Sequence, residues 1–112
     1  MATVYKVLGQ SAPAATTASD VYTVPSLKYA VVSTITVCSR TTGTAVAKYR
    51  ISVRPNGATG ADQHFVAYDA PIAGNDTVAL TLGLTADAAD VFTVYASSAN
   101  LSFNIFGSEI DA

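Results

Sequence analysis

The sequence predicts an all-β fold: a single antiparallel β-sandwich of about eight short strands, jelly-roll-like or Ig-like, with little or no helix. Three observations support this prediction. Runs of strand-forming residues recur about every 10 to 15 residues and end at Gly, Pro, Asn or Asp. Several runs alternate apolar and polar residues, which is typical of a strand buried on one face. No segment keeps apolar residues at helical spacing over three turns, so we expect one sandwich domain spanning residues 1–112.

The first half of the chain contains four expected strands, at residues 3–8, 20–24, 29–40 and 45–54. Residues 9–19 are small and include Pro13, which predicts an extended loop or arm between the first two strands. The second strand ends at Pro25, because proline has no N–H to donate to a sheet. The third carries apolar residues on both faces, with Val31, Ile35 and Val37 together on one of them, so we expect it to be central.

The second half contains four more expected strands, at residues 63–69, 77–82, 91–97 and 101–106. The triplet Pro55-Asn56-Gly57 is the clearest turn signal in the chain. Residues 70–76 predict another turn, and residues 83–90 predict a connection with at most one helical turn. Residues 109–112 are expected to be mobile or to contact another subunit.

The composition favours an assembling subunit. Half of the residues are hydrophobic and only 12% are charged, so little charge would have to be desolvated at a contact. The net charge of −2 argues against a nucleic-acid partner, because binding to phosphates requires a basic surplus. A lone cysteine, Cys38, excludes a disulfide within the chain.

The sequence also predicts where the protein works. It shows no basic segment followed by an apolar one at its start, so we expect no secretory signal. No apolar run approaches the length needed to cross a membrane. We therefore expect synthesis in a cytoplasm and no membrane partner.

The candidate functional residues point to contacts rather than to chemistry. His64 and Cys38 lack neighbours of matching type in the sequence, so we expect no catalytic residue, no metal and no cofactor. The basic residues Lys48, Arg50 and Arg54 should project from one strand face, with Arg40 nearby. The candidate interface residues are Lys48, Arg50, Arg54, Arg40, Asn56 and Asp62.

Many strand and turn phrases resemble a family of small virion structural proteins of tailed bacteriophages. The likeness spans nearly the whole chain and consists of residues 5–11 (YKVLGQS), 21–25 (VYTVP), 33–38 (STITVC), 51–55 (ISVRP), 61–69 (ADQHFVAYD), 75–77 (NDT), 80–84 (LTLGL), 90–96 (DVFTVYA) and 101–107 (LSFNIFG). Such proteins are similar in kind to capsid decoration, or cement, proteins and to small tail-associated proteins.

The resemblance implies a non-enzymatic protein of the virion, made in the bacterial host cytoplasm. Its most favoured role is capsid decoration, in which it bridges and stabilises neighbouring capsid subunits. The implied partners are the major capsid protein, or another virion protein, and copies of itself, with a trimer favoured. Two alternatives stay open: a tail, collar or baseplate component, and a tip domain that binds a host surface or glycan. The absence of Trp and the scarcity of exposed aromatic residues in the loops argue against the tip domain.

Overall fold

The computed structural model describes residues 2–112 and confirms the predicted β-sandwich. Its nine strands are β1 (Thr3–Ser11), β2 (Ser19–Thr23), β3 (Lys28–Ser39), β4 (Val46–Arg54), β5 (Phe65–Ala73), β6 (Thr77–Leu80), β7 (Leu84–Ala86), β8 (Val91–Ala96) and β9 (Leu101–Asp111). Two 3-10 turns, Pro55–Gly57 and Asp62–His64, are the helical elements of the described residues. No helix in this range has the length and apolarity to span a membrane.

The strand order identifies a jelly roll. Sheet A has the order β1-β9-β3-β6, with β7 also pairing with β3, and sheet B has the order β2-β8-β4-β5. The first strand thus pairs with the last, the second with the last but one, and β4 with β5. This is a long antiparallel hairpin rolled into two sheets, which is the jelly-roll topology. In the Ig sheets, ordered ABED and CFG, the first strand pairs with the second, whereas here β1 pairs antiparallel with the last strand, so the Ig-like alternative does not apply.

The core lies between the inner faces of the two sheets. Alternate residues of the central strands point inward, because side chains of a strand alternate between its faces. The largest fully buried side chains come from both sheets and include Ile35, Phe103 and Ile105 of sheet A and Ile51 and Phe92 of sheet B. They belong to one continuous apolar cluster.

Sheet A contains two β-bulges, one at Leu8 on β1 and one at Ser33 on β3, and a bulge changes which residues face the core. The register shifts between Val32 and Thr34 on β3, so Ser33 has no direct partner on β9. One extra residue reverses the alternation of side chains. Ala30 and Val32 therefore face inward before the bulge and Ile35 and Val37 after it, as their burial shows. The expectation that Val31 shares a face with Ile35 and Val37 is wrong, because Val31 lies on the outer face.

Three strands, β1, β5 and β9, extend further along the chain than the sequence pattern suggested. The last strand reaches Asp111, and β5 continues through Pro71 to Ala73 where a turn was expected. Proline is tolerated there because β5 pairs only with β4 and leaves its other edge free. The connection predicted at residues 83–90 contains the short strand β7, followed by a turn in which the Asp90 N–H donates to the Asp87 carbonyl. The connection between β1 and β2 is limited to residues 12–18.

Candidate interaction surfaces

The outer face of sheet B carries three of the predicted interface residues. Lys48, Arg50 and Arg54 alternate along β4 with the inward-facing Tyr49 and Ile51. They are thus placed as the sequence predicted. Their surroundings differ, because two of the three are bound within the molecule.

Arg50 is fixed by a carboxylate and two aromatic rings. Its Nε and Nη2 donate to the Asp69 carboxylate at 2.7 and 3.3 Å. Its Cζ lies 4.3 Å from the centre of the Tyr68 ring and 4.4 Å from that of Tyr95. Hydrogen bonding to Arg50 lowers the pKa of the Asp69 carboxyl below its usual range. The guanidinium is therefore a structural group, held by a charge-assisted fork and by cation–π contacts.

Arg54 joins three separate segments of sheet B and its loops. Its Nη2 donates to Asp20 on β2 at 3.0 Å, and its Nε donates to Thr93 on β8 at 3.2 Å. Its Nη1 donates to the carbonyl oxygen of Ala58 at 2.9 Å. Lys48, by contrast, is exposed, and it takes part in none of the ion pairs found among residues 2–112. It is the cation of this face that an external partner can reach most directly.

The other three predicted interface residues lie elsewhere. Arg40 follows β3 in sheet A and donates to Ser102 Oγ at 2.9 Å and to the Ala99 carbonyl at 3.0 Å. The expectation that it joins the Lys48 face is wrong, since β3 and β4 belong to different sheets. Asn56 and Asp62 are exposed in the connection between β4 and β5. The backbone N–H of Asn56 donates to the Asp90 carboxylate at 2.8 Å.

A pocket of about 320 Å³ opens on the outer face of sheet B. Phe65 and Tyr95 provide aromatic walls, and Arg50, Arg54 and Asp20 provide charged groups. Tyr68 lies beside it, 58% exposed, with its ring edge-to-face with Phe65 at 4.9 Å. An aromatic wall with a few polar groups suits a small organic ring or a sugar. The sequence missed this cluster because its aromatic residues come from two different strands.

The outer face of sheet A is mainly apolar and uncharged around the first half of β1, where Ser108 is the polar residue opposite Tyr5, whereas its far end carries the hydrogen-bonded pair Gln10 and Asn104. Tyr5 is 84% exposed, and Val7 and Tyr29 are also exposed. Strand pairing places Phe106 beside Val7, and Ile110 beside Tyr29, on the same face. Sequence reasoning did not identify this surface. The sequence did offer one signal for it. Residues 3–7 contain more β-branched and aromatic residues than a strand with a single buried face requires.

A buried carboxylate lies at one end of the sandwich. Glu109 on β9 is 6% exposed, and its Oε2 accepts a hydrogen bond from the Tyr22 hydroxyl at 2.6 Å. The ammonium of Lys6 lies 3.1 Å from Oε1. The Tyr22 hydrogen bond lowers the pKa of Glu109, and burial together with this carboxylate raises the pKa of Tyr22. The expectation of a mobile segment at 109–112 is therefore wrong for Glu109, which fastens β9 to β2 and β1.

The two residues weighed for chemistry have ordinary surroundings. His64 Nδ1 accepts a hydrogen bond from the backbone N–H of Ala61 at 3.2 Å. Cys38 is a free thiol and half-buried. Within residues 2–112, His, Cys, Asp and Glu side chains form no group of three that could hold a metal ion.

Comparison with known proteins gives remote structural likenesses. No protein-family model matches the sequence, and no curated protein matches it. A crystal structure of a pentameric capsid protein isolated from metagenomic phage sequences is 16% identical, with a TM-score of 0.38, and the match covers 97% of this chain and 61% of that chain. A second crystal structure of such a protein, solved by iodide SAD phasing, is 15% identical, with a TM-score of 0.33 and coverage of 97% and 62%. The chain thus spans about three fifths of the length of these two proteins.

Proposed function

We propose that the protein is a non-enzymatic structural component of a tailed-bacteriophage virion and that it decorates the capsid. Support comes first from the resemblance of its strand and turn phrases to small virion proteins. The jelly roll is compatible with this role, because viral capsid domains use it, although lectins and cupins do so as well. Tail, collar and baseplate proteins of similar size are the nearest alternative.

One observation carries the proposal: the exposed apolar surface around Tyr5 and Tyr29 on the outer face of sheet A. Exposed Tyr5 and Tyr29 and the half-buried Phe106 and Ile110 lie there without a neighbouring charge on the same face. Contiguous exposed apolar surface marks an interaction site more often than a solvated face. A protein that spends its working life bound in a particle can retain such a surface.

The mechanism is bridging. Each copy would contact neighbouring capsid subunits and resist their separation when the packaged genome presses outward. Residues 12–18, the exposed Lys48 and the connection containing Asn56 and Asp62 are the contact elements expected on the sheet B side. Individually modest contacts suffice, because repetition over a symmetric shell raises the effective concentration of each partner.

Copy number in purified particles tests this role. Quantitative mass spectrometry of the virion should give a number comparable with that of the major capsid protein. A tail, collar or baseplate component would occur in only a few copies. Absence from the purified particle would contradict both readings.

A matched pair of lysine variants tests the sheet B contact. Lys48→Gln and Lys28→Gln each remove one positive charge, but Lys28 lies at the end of sheet A and pairs with Asp111 at 2.7 Å. We expect Lys48→Gln to lower occupancy on particles that lack the protein, and Lys28→Gln to leave it unchanged. Equal occupancy for both would remove Lys48 from the interface.

The aromatic pocket favours a second candidate, a glycan-binding tip domain. The scarcity of aromatic side chains in the loops counts against it, whereas Phe65, Tyr68 and Tyr95 lie close together on the strands of sheet B. Titration of the isolated protein with host-surface saccharides, beside a Tyr95→Ala variant, tests this candidate. Saccharide binding that depends on Tyr95 would favour it over decoration.

A further inference from the structure

The four sheet edges are protected to different degrees. An edge strand exposes a row of unpaired N–H and C=O groups, and natural proteins usually block it with short strands, bulges, proline or charge. Here β1 and the pair β6/β7 border sheet A, and β2 and β5 border sheet B. Another strand can be added only where such an edge is long, regular and exposed.

Three of the edges carry such protection. The edge at β6 and β7 consists of strands of four and three residues, separated by Gly83 in a left-handed conformation. Strand β2 has five residues and a register shift after Asp20. Strand β5 contains Pro71 and a bulge at Asp69, whose φ is +50°. None offers an extended regular row of donors and acceptors.

The first half of β1 differs from these edges. Residues 3–7 are all exposed and contain neither proline nor glycine. The backbone N–H of Asp111 donates to the Ala2 carbonyl, so residues 2, 4 and 6 bond to β9 in this antiparallel pair. By alternation, Thr3, Tyr5 and Val7 direct their N–H and C=O groups toward the open edge.

The second half of β1 is closed. The register shifts between Val7 and Gly9, which leaves Leu8 as a bulge. Beyond it β2 lies so close that a side chain on Gly9 would clash with the Val21 carbonyl. The open edge therefore covers five residues, centred on Tyr5.

We propose that this edge pairs with the same edge of a second copy, antiparallel about a twofold axis at Tyr5. In this register Tyr5 lies opposite Tyr5, Thr3 opposite Val7, and Val4 opposite Lys6 of the other copy. The outward N–H and C=O groups of Thr3, Tyr5 and Val7 would then all find partners. A second copy fits because no like charges lie directly opposite each other.

The outer face of sheet A gives a second reason for this occupant. A twofold axis perpendicular to the sheet places both outer faces on the same side. The apolar surfaces around Tyr5 and Val7 of the two copies then become continuous across the junction, and the exposed side chains at the edge bury each other. A charged partner strand would gain less from this surface.

The pairing produces a dimer rather than the trimer that the sequence favoured. A closed ring built from strand pairing requires two different open edges on each subunit. Among the described residues β1 provides the single regular one. The dimer goes beyond the decoration role and does not require it.

Engineered disulfides test both the pairing and its register. In a Cys38→Ser background, Tyr5→Cys would place two thiols on strands whose Cα atoms lie about 5.5 Å apart, within disulfide range. Thr3→Cys would separate them by about 13 Å along the strands, which is beyond that range. We expect Tyr5→Cys to cross-link on mild oxidation and Thr3→Cys not to, whereas Thr3→Cys with Val7→Cys should cross-link. Cross-linking of Thr3→Cys alone, or of neither single variant, would overturn the proposal.

Light scattering over a concentration series provides the independent measurement. The unmodified protein should approach twice the monomer mass of 11.5 kDa. Tyr5→Pro removes the outward N–H without removing a bond to β9 and should give a monomer with an unchanged circular dichroism spectrum. Tyr5→Thr removes the same ring but keeps the N–H and should still pair. A trimer, or a monomer at every concentration, would contradict the inference, and neither result would change the copy-number test of the decoration role.

Discussion

The outer faces of sheet A and sheet B are both formed by antiparallel strands, but they differ in the number of charged side chains and in whether those charges have partners. On sheet B, Arg50 and Arg54 are bound to Asp69 and Asp20 and to neighbouring side chains. On sheet A, the outer surface around the first half of β1 has exposed aromatic and aliphatic side chains, and the charged Arg40 lies at the other end of β3 and β9. The charged residues next to it in the chain, Lys6, Glu109, Lys28 and Asp111, alternate to the inner side of that sheet.

The two faces should therefore differ in how much free energy they gain when a partner covers them. A face whose charges already have partners gains little from an external ion pair, because those bonds would first have to break. A face of exposed apolar groups gains free energy whenever it is covered. We therefore expect sheet A to supply most of the contact energy of assembly and Lys48 on sheet B to supply orientation.

Removing the buried carboxylate of sheet A should have the largest effect on stability. Glu109→Ala leaves the Tyr22 hydroxyl without its acceptor and Lys6 without its counter-ion. We expect a loss of about 2 to 4 kcal/mol in the free energy of unfolding, measured by urea denaturation. Asp111→Ala removes an exposed carboxylate two residues away and serves as the control. Equal losses in the two variants would show that the buried position of Glu109 has no special weight.

Releasing the guanidinium of sheet B should have a smaller effect. Arg50→Met keeps a long apolar stem but removes the fork to Asp69 and the contacts with Tyr68 and Tyr95. We expect a lower urea midpoint than that of the unmodified protein, with a shift below that of Glu109→Ala. Arg50→Lys should fall close to Arg50→Met, because an ammonium cannot reproduce the planar fork. Full stability of either variant would show that the arginine is free for a partner.

The pH dependence of stability should reflect the same buried pair. Glu109 has a lower pKa in the folded protein than in the unfolded chain, so its contribution is present above the unfolded value and is lost as the pH falls through the folded one. Tyr22 has a raised pKa, so its contribution is present below about pH 10 and is lost as the pH rises above that value. In the Tyr22→Phe variant, the thermal unfolding midpoint should fall less steeply with rising pH above about pH 10. If the midpoint of the variant falls as steeply as that of the unmodified protein, the loss of stability at alkaline pH arises from other groups.

The sequence predicted the fold class because the repeated strand and turn pattern is local information. It could not predict the bulge at Ser33 or its effect on Val31, because a bulge depends on how three neighbouring strands fit together. The continuation of β5 through Pro71 was missed for a similar reason. Only the strand order shows that this proline lies on an edge.

The positions of the candidate interface residues on β4 could be predicted from the sequence, but their hydrogen-bond and ion-pair partners could not. Alternation along β4 placed Lys48, Arg50 and Arg54 on one face correctly. Their partners, Asp69 and Asp20, come from β5 and β2, so their pairing requires the tertiary structure. The apolar face of sheet A was missed because Tyr5, Tyr29 and the C-terminal strand meet only after folding.

Two tyrosines of similar exposure on opposite faces give the smallest and most direct comparison. Tyr68 on sheet B packs against Phe65 and over Arg50, so Tyr68→Ser should lower the free energy of unfolding by about 1 kcal/mol. Tyr29 on sheet A lies on the apolar outer face, and Tyr29→Ser should change stability by less than about 0.5 kcal/mol. The same Tyr29 variant should lower occupancy on particles, because the proposed decoration role places this ring in the contact. If it lowers stability as much as Tyr68→Ser and leaves occupancy intact, the face of sheet A serves the fold alone, and the contrast between the two sheets fails.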